Sequence, residues 1–367
     1  MQAPASKLHP RRRERQPKKK MPTNVETLPF VSVLIPMRNE ERHIETCLRS
    51  LAQQDYPRER FEVLVMDGGS SDRSREVVEG LAAREGLNLR LIDNPGRTTA
   101  RGLNLGIAQA RGDIIARIDA HATAAPDFLS QSVEALMTTA DADGVGGPIE
   151  SVGQGLMGEA IALAMSSPFG IGNAHFRYSQ EAQYTDTVAF PAYRREIFER
   201  IGRFAEDVNY GEDDEFHYRL GDAGGKLLLT PNIRSTYYTR SSLSNLFRQY
   251  FAYGQAKVEV LRRHPRQARL RQFVPAVFVT GLIGLSVLSL IARPFRRLLV
   301  LFAAMYLLAS SLASLRIASR QGWRYAPLLP LAFTCLHVAY GLGFLRSLLR
   351  LLAGRSGVWM GGSGTGQ

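Results

Sequence analysis

A chain of 367 residues, 45% hydrophobic and 22% charged, is long enough for one large domain or two and has the balance of a folded protein. Its two cysteines, Cys47 and Cys335, lie far apart, which excludes a disulfide framework and a cysteine zinc site and fits a catalytic part facing the cytosol. More than half of the net charge of +12 sits in the N-terminal KLHPRRRERQPKKK, where eight Lys or Arg stand against one Glu and no recognised nucleic-acid-binding motif follows.

Residues 1–29 contain no apolar run, so they read as a disordered basic arm: a solvated tail, or a contact for anionic lipid headgroups. From residue 30 the pattern alternates. VSVLIP predicts a strand ending at Pro36, and Ile44, Leu48 and Leu51 give the helical spacing that follows. FEVLVMDGGSSD reads as a second buried strand stopped by a glycine-rich turn, with a helix over 73–84 behind it. LNLRLIDN, TTARGLNLGIAQA and DIIARIDA continue as strand, helix, strand. Continuous apolar strands alternating with helices predict an α/β fold with a doubly wound, mostly parallel sheet. Residues 141–190 are glycine-rich and read as a loop-rich substrate region, and NYGEDDEFHYRL then places acidic residues at the start of a helix, where they also suit the helix dipole.

Leu243, Leu246, Phe247, Tyr250 and Phe251 share one helical face, and the basic KVEVLRRHPRQARLR follows. Residues 241–271 therefore read as an amphipathic helix that lies at a membrane surface or packs on the catalytic domain. Three long apolar runs, at 273–292, 298–315 and 325–345, predict up to three membrane helices within 272–346. Arginines at 262, 263, 266, 269 and 271 place the catalytic part on the cytoplasmic side of an inner membrane, whereas RPFRR between the first two runs opposes a simple crossing. Residues 347–367 read as a flexible tail.

Parallel strands deliver their carboxyl ends to one edge, where α/β sheets bind ligands. Glu40, Asp67 and Asp119 all follow strand ends, so they converge there. Asp119 and His121 present a carboxylate and an imidazole suited to a cation, although the same residues also suit a turn.

In this order and at these spacings, VSVLIPMRNE, FEVLVMDGGSSD, RIDAHA, YRREIFERIGRF and GEDDEF resemble the family 2 glycosyltransferases with the GT-A fold. The resemblance covers residues 30–240. The DAH form, QYFAYGQAK and the apolar runs after it resemble the branch with succinoglycan-type exopolysaccharide glucosyltransferases. It implies a nucleotide-sugar site at the strand ends with Pro36, Arg38, Glu40, Asp67 and Asp119, and with Arg97 and Arg101 either neutralising phosphate or solvated. Asp119 matches the first acid of the family's DxD motif, and His121 stands in place of its last acid. The pair would hold a divalent cation, Mn²⁺ or Mg²⁺, with the imidazole favouring Mn²⁺. Arg38 stands where the family often has an aromatic residue and Gly68 where it often has an acid, so a uridine base would stack on the guanidinium and bond to Asp67.

GEDDEF matches the family's catalytic acid motif and implies Asp213 as general base, with Asp214 as the second choice. One displacement inverts the anomeric centre. Processive members carry QxxRW; this chain has Gln249 in QYFAY with neither the Arg nor the Trp, which implies addition of a single sugar. The implied reaction moves one sugar, glucose by the resemblance, from a UDP-sugar to a polyprenyl-diphosphate-linked oligosaccharide at the membrane. A polyprenyl-monophosphate acceptor and a non-catalytic scaffold are the alternatives.

Overall fold

The computed structural model describes residues 25–172, 174–208 and 210–354; most of the basic arm and the last part of the tail lie outside the described residues. The chain opens with the expected alternation: β1 (Val31–Met37), α1 (Ile44–Ala52), β2 (Phe61–Asp67), α2 (Ser74–Glu85), β3 (Leu89–Asp93), α3 (Thr99–Gln109) and β4 (Ile114–Arg117). These four strands pair in parallel in the order β3-β2-β1-β4, with Met37 level with Asp67 and Leu34 level with Arg117. That register sets the loops after β1, β2 and β4 side by side. Side chains alternate across β1, so Val33 and Ile35 enter one core while Leu34 enters the other, with Leu64, Met66 and Ile115.

One part of the sequence reading needs correction, and the second half of the sheet adds antiparallel strands to a mostly parallel whole. Residues 141–190 are more ordered than a substrate loop. They follow β5 (Ala122–Ala124) and α4 (Phe128–Thr138) and contain β6 (Gly144–Gly147), β7 (Ile149–Val152), α5 (Gly155–Met165), α6 (Pro168–Ile171) and β8 (Gln183–Thr185). β6 is the buried stretch GVGG, and a Cβ on Gly147 would lie 1.6 Å from the Ile233 carbonyl oxygen, so close backbone approach selects glycine there. The second half of the sheet is also mixed: β9 (Ala189–Arg194) runs antiparallel between β4 and β6, and β8 runs antiparallel to β10 (Leu227–Leu229). Beyond them lie α7 (Ile197–Arg200), α8 (Glu212–Asp222) and β11 (Ser235–Tyr238), which joins β5 and β7 in a second small sheet.

The C-terminal part comprises α9 (Leu243–Arg263), α10 (Leu270–Ser289), α11 (Arg293–Gln321) and α12 (Leu329–Leu352). The last three are long and apolar enough to cross a membrane by length and composition, with bounds shifted from the apolar runs because the helices extend into flanking polar residues. Their surroundings differ. α12 buries Leu329, Phe333 and Leu336 in the same core as the catalytic sheet, whereas α10 and α11 leave Val277, Ile283, Leu301, Met305 and Leu308 exposed. α9 packs along α12 at backbone contact. A Cβ on Gly254 would lie 2.1 Å from the Tyr340 carbonyl oxygen, and one on Gly343 would lie 2.0 Å from that of Phe251. RPFRR opens α11, just after the break that follows α10.

Candidate active site

β4 ends at Arg117, and the chain turns through Asp119, whose carbonyl accepts from Ala122 N–H at 3.0 Å. The Arg117 side chain is 8% exposed and gathers three acids. Its guanidinium donates to Asp119 Oδ1 at 3.0 and 3.2 Å, lies 3.1 Å from Glu212 Oε1, and holds Asp213 Oδ1. Glu212 and Asp213 are there because Gly211, at φ 77°, starts α8 with its first turn facing the end of β4. Asp214 turns instead to Lys257 on α9. The sequence reading missed both basic partners. An arginine inside the apolar IIARI was the available signal for Arg117, since a charge in a buried strand needs a partner; Lys257 is hidden within a basic run.

This crowding sets the charges. Burial pushes the Asp213 carboxyl up; Arg117 pulls it down, but Glu212, Asp119 and Asp214 add to the rise and leave it at about 8. Its side chain is 35% exposed while that of Arg117 is 8% exposed, so solvent reaches the carboxylate far more than its cation. A carboxylate of this kind can take a proton near neutral pH. Burial also disfavours the Asp119 anion, but Arg117 and His121 outweigh it and hold the group below its ordinary range.

His121 Nδ1 lies 3.0 Å from Glu40 Oε1, and the Tyr237 ring meets the imidazole edge-on at 5.2 Å. Burial pulls the imidazole down, yet the Glu40 bond and the charges of Tyr237, Glu40 and Asp119 raise it to about 9. Glu40 therefore reaches His121 rather than open space: in this structure its carboxylate orients the ring. Among the described residues no three His, Cys, Asp or Glu side chains form a metal-holding group, so Asp119 and His121 supply at most two ligands.

The loops after β1 and β2 are clamped together. Asn39, at φ 56°, donates its N–H to Ser70 Oγ at 2.9 Å, and its side-chain oxygen accepts from Ser71 N–H at 2.8 Å. Asp67 is buried beneath them. Ser70 donates to one oxygen at 2.6 Å and Arg75 to the other at 2.7 Å, so a direct bond to a nucleotide base requires one of these to exchange. Arg38 and Arg97 are exposed on this edge, beside Gly68 and Gly69. Arg101 instead pairs with Glu206 at 3.3 Å, and Pro36 sits within β1 level with Met66, half-buried.

Residues 32–202 match the family described as glycosyl transferase family 2. The chain is 31% identical over 321 residues to the succinoglycan biosynthesis protein ExoA of Rhizobium meliloti, covering 86% of this chain and 94% of that one. It is 29% identical over 327 residues to a Methanococcus voltae protein named dolichyl N-acetyl-alpha-D-glucosaminyl phosphate 3-beta-D-2,3-diacetamido-2,3-dideoxy-beta-D-glucuronosyltransferase, covering 88% and 98%. The mannosyltransferase PcManGT from Pyrobaculum calidifontis, solved with GDP-Man and Mn²⁺, superposes with a TM-score of 0.61 at 21% identity, covering 91% of this chain and 90% of that one. With a GT-A-like sheet core, acids gathered at its strand ends and relatives that match over most of its length, the chain belongs to glycosyl transferase family 2 and is a glycosyltransferase of polysaccharide or lipid-linked glycan biosynthesis.

Proposed function

We propose that the enzyme transfers one sugar, glucose by resemblance, from a UDP-sugar to a saccharide carried on a polyprenyl phosphate or diphosphate, with inversion at the anomeric carbon. The observation that carries this reading is Arg117, which ties the strand-end acid Asp119 to Asp213 at the start of α8 and so joins a donor side to an acceptor side. The relative named for transfer onto dolichyl N-acetylglucosaminyl phosphate supports a lipid-linked saccharide acceptor. The exposed apolar faces of α10 and α11 support its delivery from a membrane.

Asp213 acts as the base. It takes the proton of the acceptor hydroxyl as that oxygen bonds to the anomeric carbon and the bond to the diphosphate breaks on the opposite face. Asp119 and His121 would hold a divalent cation that offsets charge on the departing diphosphate. The donor set fits that role: with Nδ1–H held by Glu40, the ring would offer Nε2 to a cation once the Nε2 proton has left, and diphosphate oxygens would complete the coordination. Arg38 and Arg97 face the nucleotide end, and Asp67 shapes the loop between them. Asp214, fixed by Lys257, is the second candidate for the base.

Membranes containing the enzyme, given a panel of labelled UDP- and GDP-sugars with polyprenyl-linked saccharides, should form one labelled lipid-linked product with a single added sugar and the inverted linkage. Hydrolysis alone, or a growing polymer, would overturn the reading.

A further inference from the structure

Arg177 belongs to the short turn His175–Arg177 that follows α6. Its guanidinium lies 5.5 Å from the ring centroids of both Phe176 and Tyr237 and donates one hydrogen bond, to Ser151 Oγ at 3.2 Å. Among the described residues no carboxylate lies within ion-pair distance of it, whereas Arg75, Arg101 and Arg117 are all paired. Two aromatic rings and a hydroxyl therefore hold a cation whose remaining donors meet no carboxylate among the described residues, the arrangement that suits a phosphate ligand.

Its position narrows the choice of phosphate. The Arg177 guanidinium lies over the Tyr237 ring and His121 packs against the same ring in a T-shaped contact, so a single ring separates the guanidinium from the proposed cation site, a separation suited to one pyranose. Tyr237 also accepts a hydrogen bond from Gln249 on α9 at 3.1 Å. On the same helix Phe247, two residues before Gln249 and about 3 Å back along the axis, lines an apolar cavity of about 470 Å³. Leu243, Cys335 and Val338 line the same cavity, between the first turns of α9 and the apolar helix α12. An anion seat that meets α9 through Tyr237 and Gln249, and an apolar groove at the first turns of that helix, match the two ends of an isoprenoid phosphate.

We propose that Arg177 binds the phosphate joining the acceptor's first sugar to its isoprenoid lipid, with the lipid chain leaving along the groove between α9 and α12. This rests on the lipid-linked acceptor proposed above and adds that the sugar receiving the new bond is the one next to that phosphate. A phosphate of the donor would place Arg177 on the nucleotide side instead.

The test compares two acceptors with the same sugar, one as a farnesyl phosphate ester and one as an uncharged alkyl glycoside, using the full-length enzyme in detergent and the donor identified by the panel. The wild type should prefer the phosphate ester. Arg177→Gln should raise KM for the ester about 10-fold or more, collapsing the preference, and Arg177→Lys should recover part of it. UDP affinity by calorimetry should stay near wild type. Equal losses on both acceptors, or weakened UDP binding, overturn the Arg177 assignment and leave the lipid-linked reading standing. If the wild type transfers to polyprenyl oligosaccharides but not to the single-sugar ester, the placement next to the phosphate fails. Transfer to no lipid-linked acceptor overturns both.

Discussion

Arg117 on β4 grips Asp213 on α8 across 96 residues of sequence, and the same guanidinium holds Asp119, two residues on in the turn after the strand. A planar fork holds acids on both sides in fixed directions, which a compact ammonium with freely turning donors does not. Arg117→Lys should keep the fold and UDP binding but lower transfer at least ~10-fold, because Asp213 loses its aim. Arg117→Met leaves three neighbouring carboxylates without their cation and should lower stability by about 3 kcal/mol. Paired melting curves and single-turnover assays check both; full activity in Arg117→Lys would show that the bridge is only structural.

Asp213, raised to about 8, is protonated at lower pH and as the proposed base would be inactive there. Transfer should therefore climb about tenfold per pH unit below that value and level off above it. Asp213→Asn should remove transfer by at least ~10²-fold while hardly changing UDP affinity. If Asp214→Asn has that effect and Asp213→Asn does not, the base is the carboxylate held by Lys257.

UDP binding should require a divalent cation, with Mn²⁺ more effective than Mg²⁺. Asp119→Asn should lose most metal-dependent binding, and His121→Asp should shift the preference towards Mg²⁺. Glu40→Gln should weaken metal-dependent affinity about 10-fold or more by releasing the His121 ring. Calorimetry in each metal decides this, and undiminished binding in chelator would sink the cation site.

His217 is 2% exposed, between the Tyr193 hydroxyl at 2.6 Å and the Thr187 hydroxyl at 2.9 Å. Burial lowers its pKa from 6.5 to about 4. The folded state thus resists a proton that the unfolded chain accepts, so this stability is present above pH 6.5 and is lost as pH falls towards 4, at up to ~1.4 kcal/mol per unit. Denaturant midpoints in detergent should decline over that window, and His217→Gln should flatten the decline.

Tryptophans placed at Val277 on α10 and Leu308 on α11 should be quenched by lipids with brominated acyl chains, because both positions are bare. One placed at Phe333 on α12 should be quenched far less, because that side chain faces the catalytic core. Equal quenching at all three would mean that α12 is as open to lipid as the other two.

The first half of the sheet was legible because VSVLI and FEVLVMD announce buried strands by composition and their order fixes the edge where Asp119 emerges. GVGG was not, since a strand chosen for close backbone approach carries no hydrophobic signal. Asp119, His121 and Asp213 could be picked out by motif. Their partners Arg117, Glu40 and Lys257 depend on pairings across the fold, and a local pattern does not record those. Arg177 stands in a glycine-rich stretch, and its lack of an acidic neighbour among the described residues is a property of three dimensions alone.

The contact of Gly254 with the backbone of α12 lies one turn from Lys257, which holds Asp214 beside Asp213. At Gly254 and Gly343 no side chain separates the two backbones, so α9 is held tightly to α12 there, and the acidic turn of α8 is tied to α9 through Lys257. With the acceptor carried on a lipid, as proposed, the height of Asp213 above the lipid surface would be set by this helix pair, which would then work as a gauge. A glycan whose free hydroxyl stands at that height would meet the proposed base, and acceptor length would be selected by the anchor as well as by contacts to the sugar.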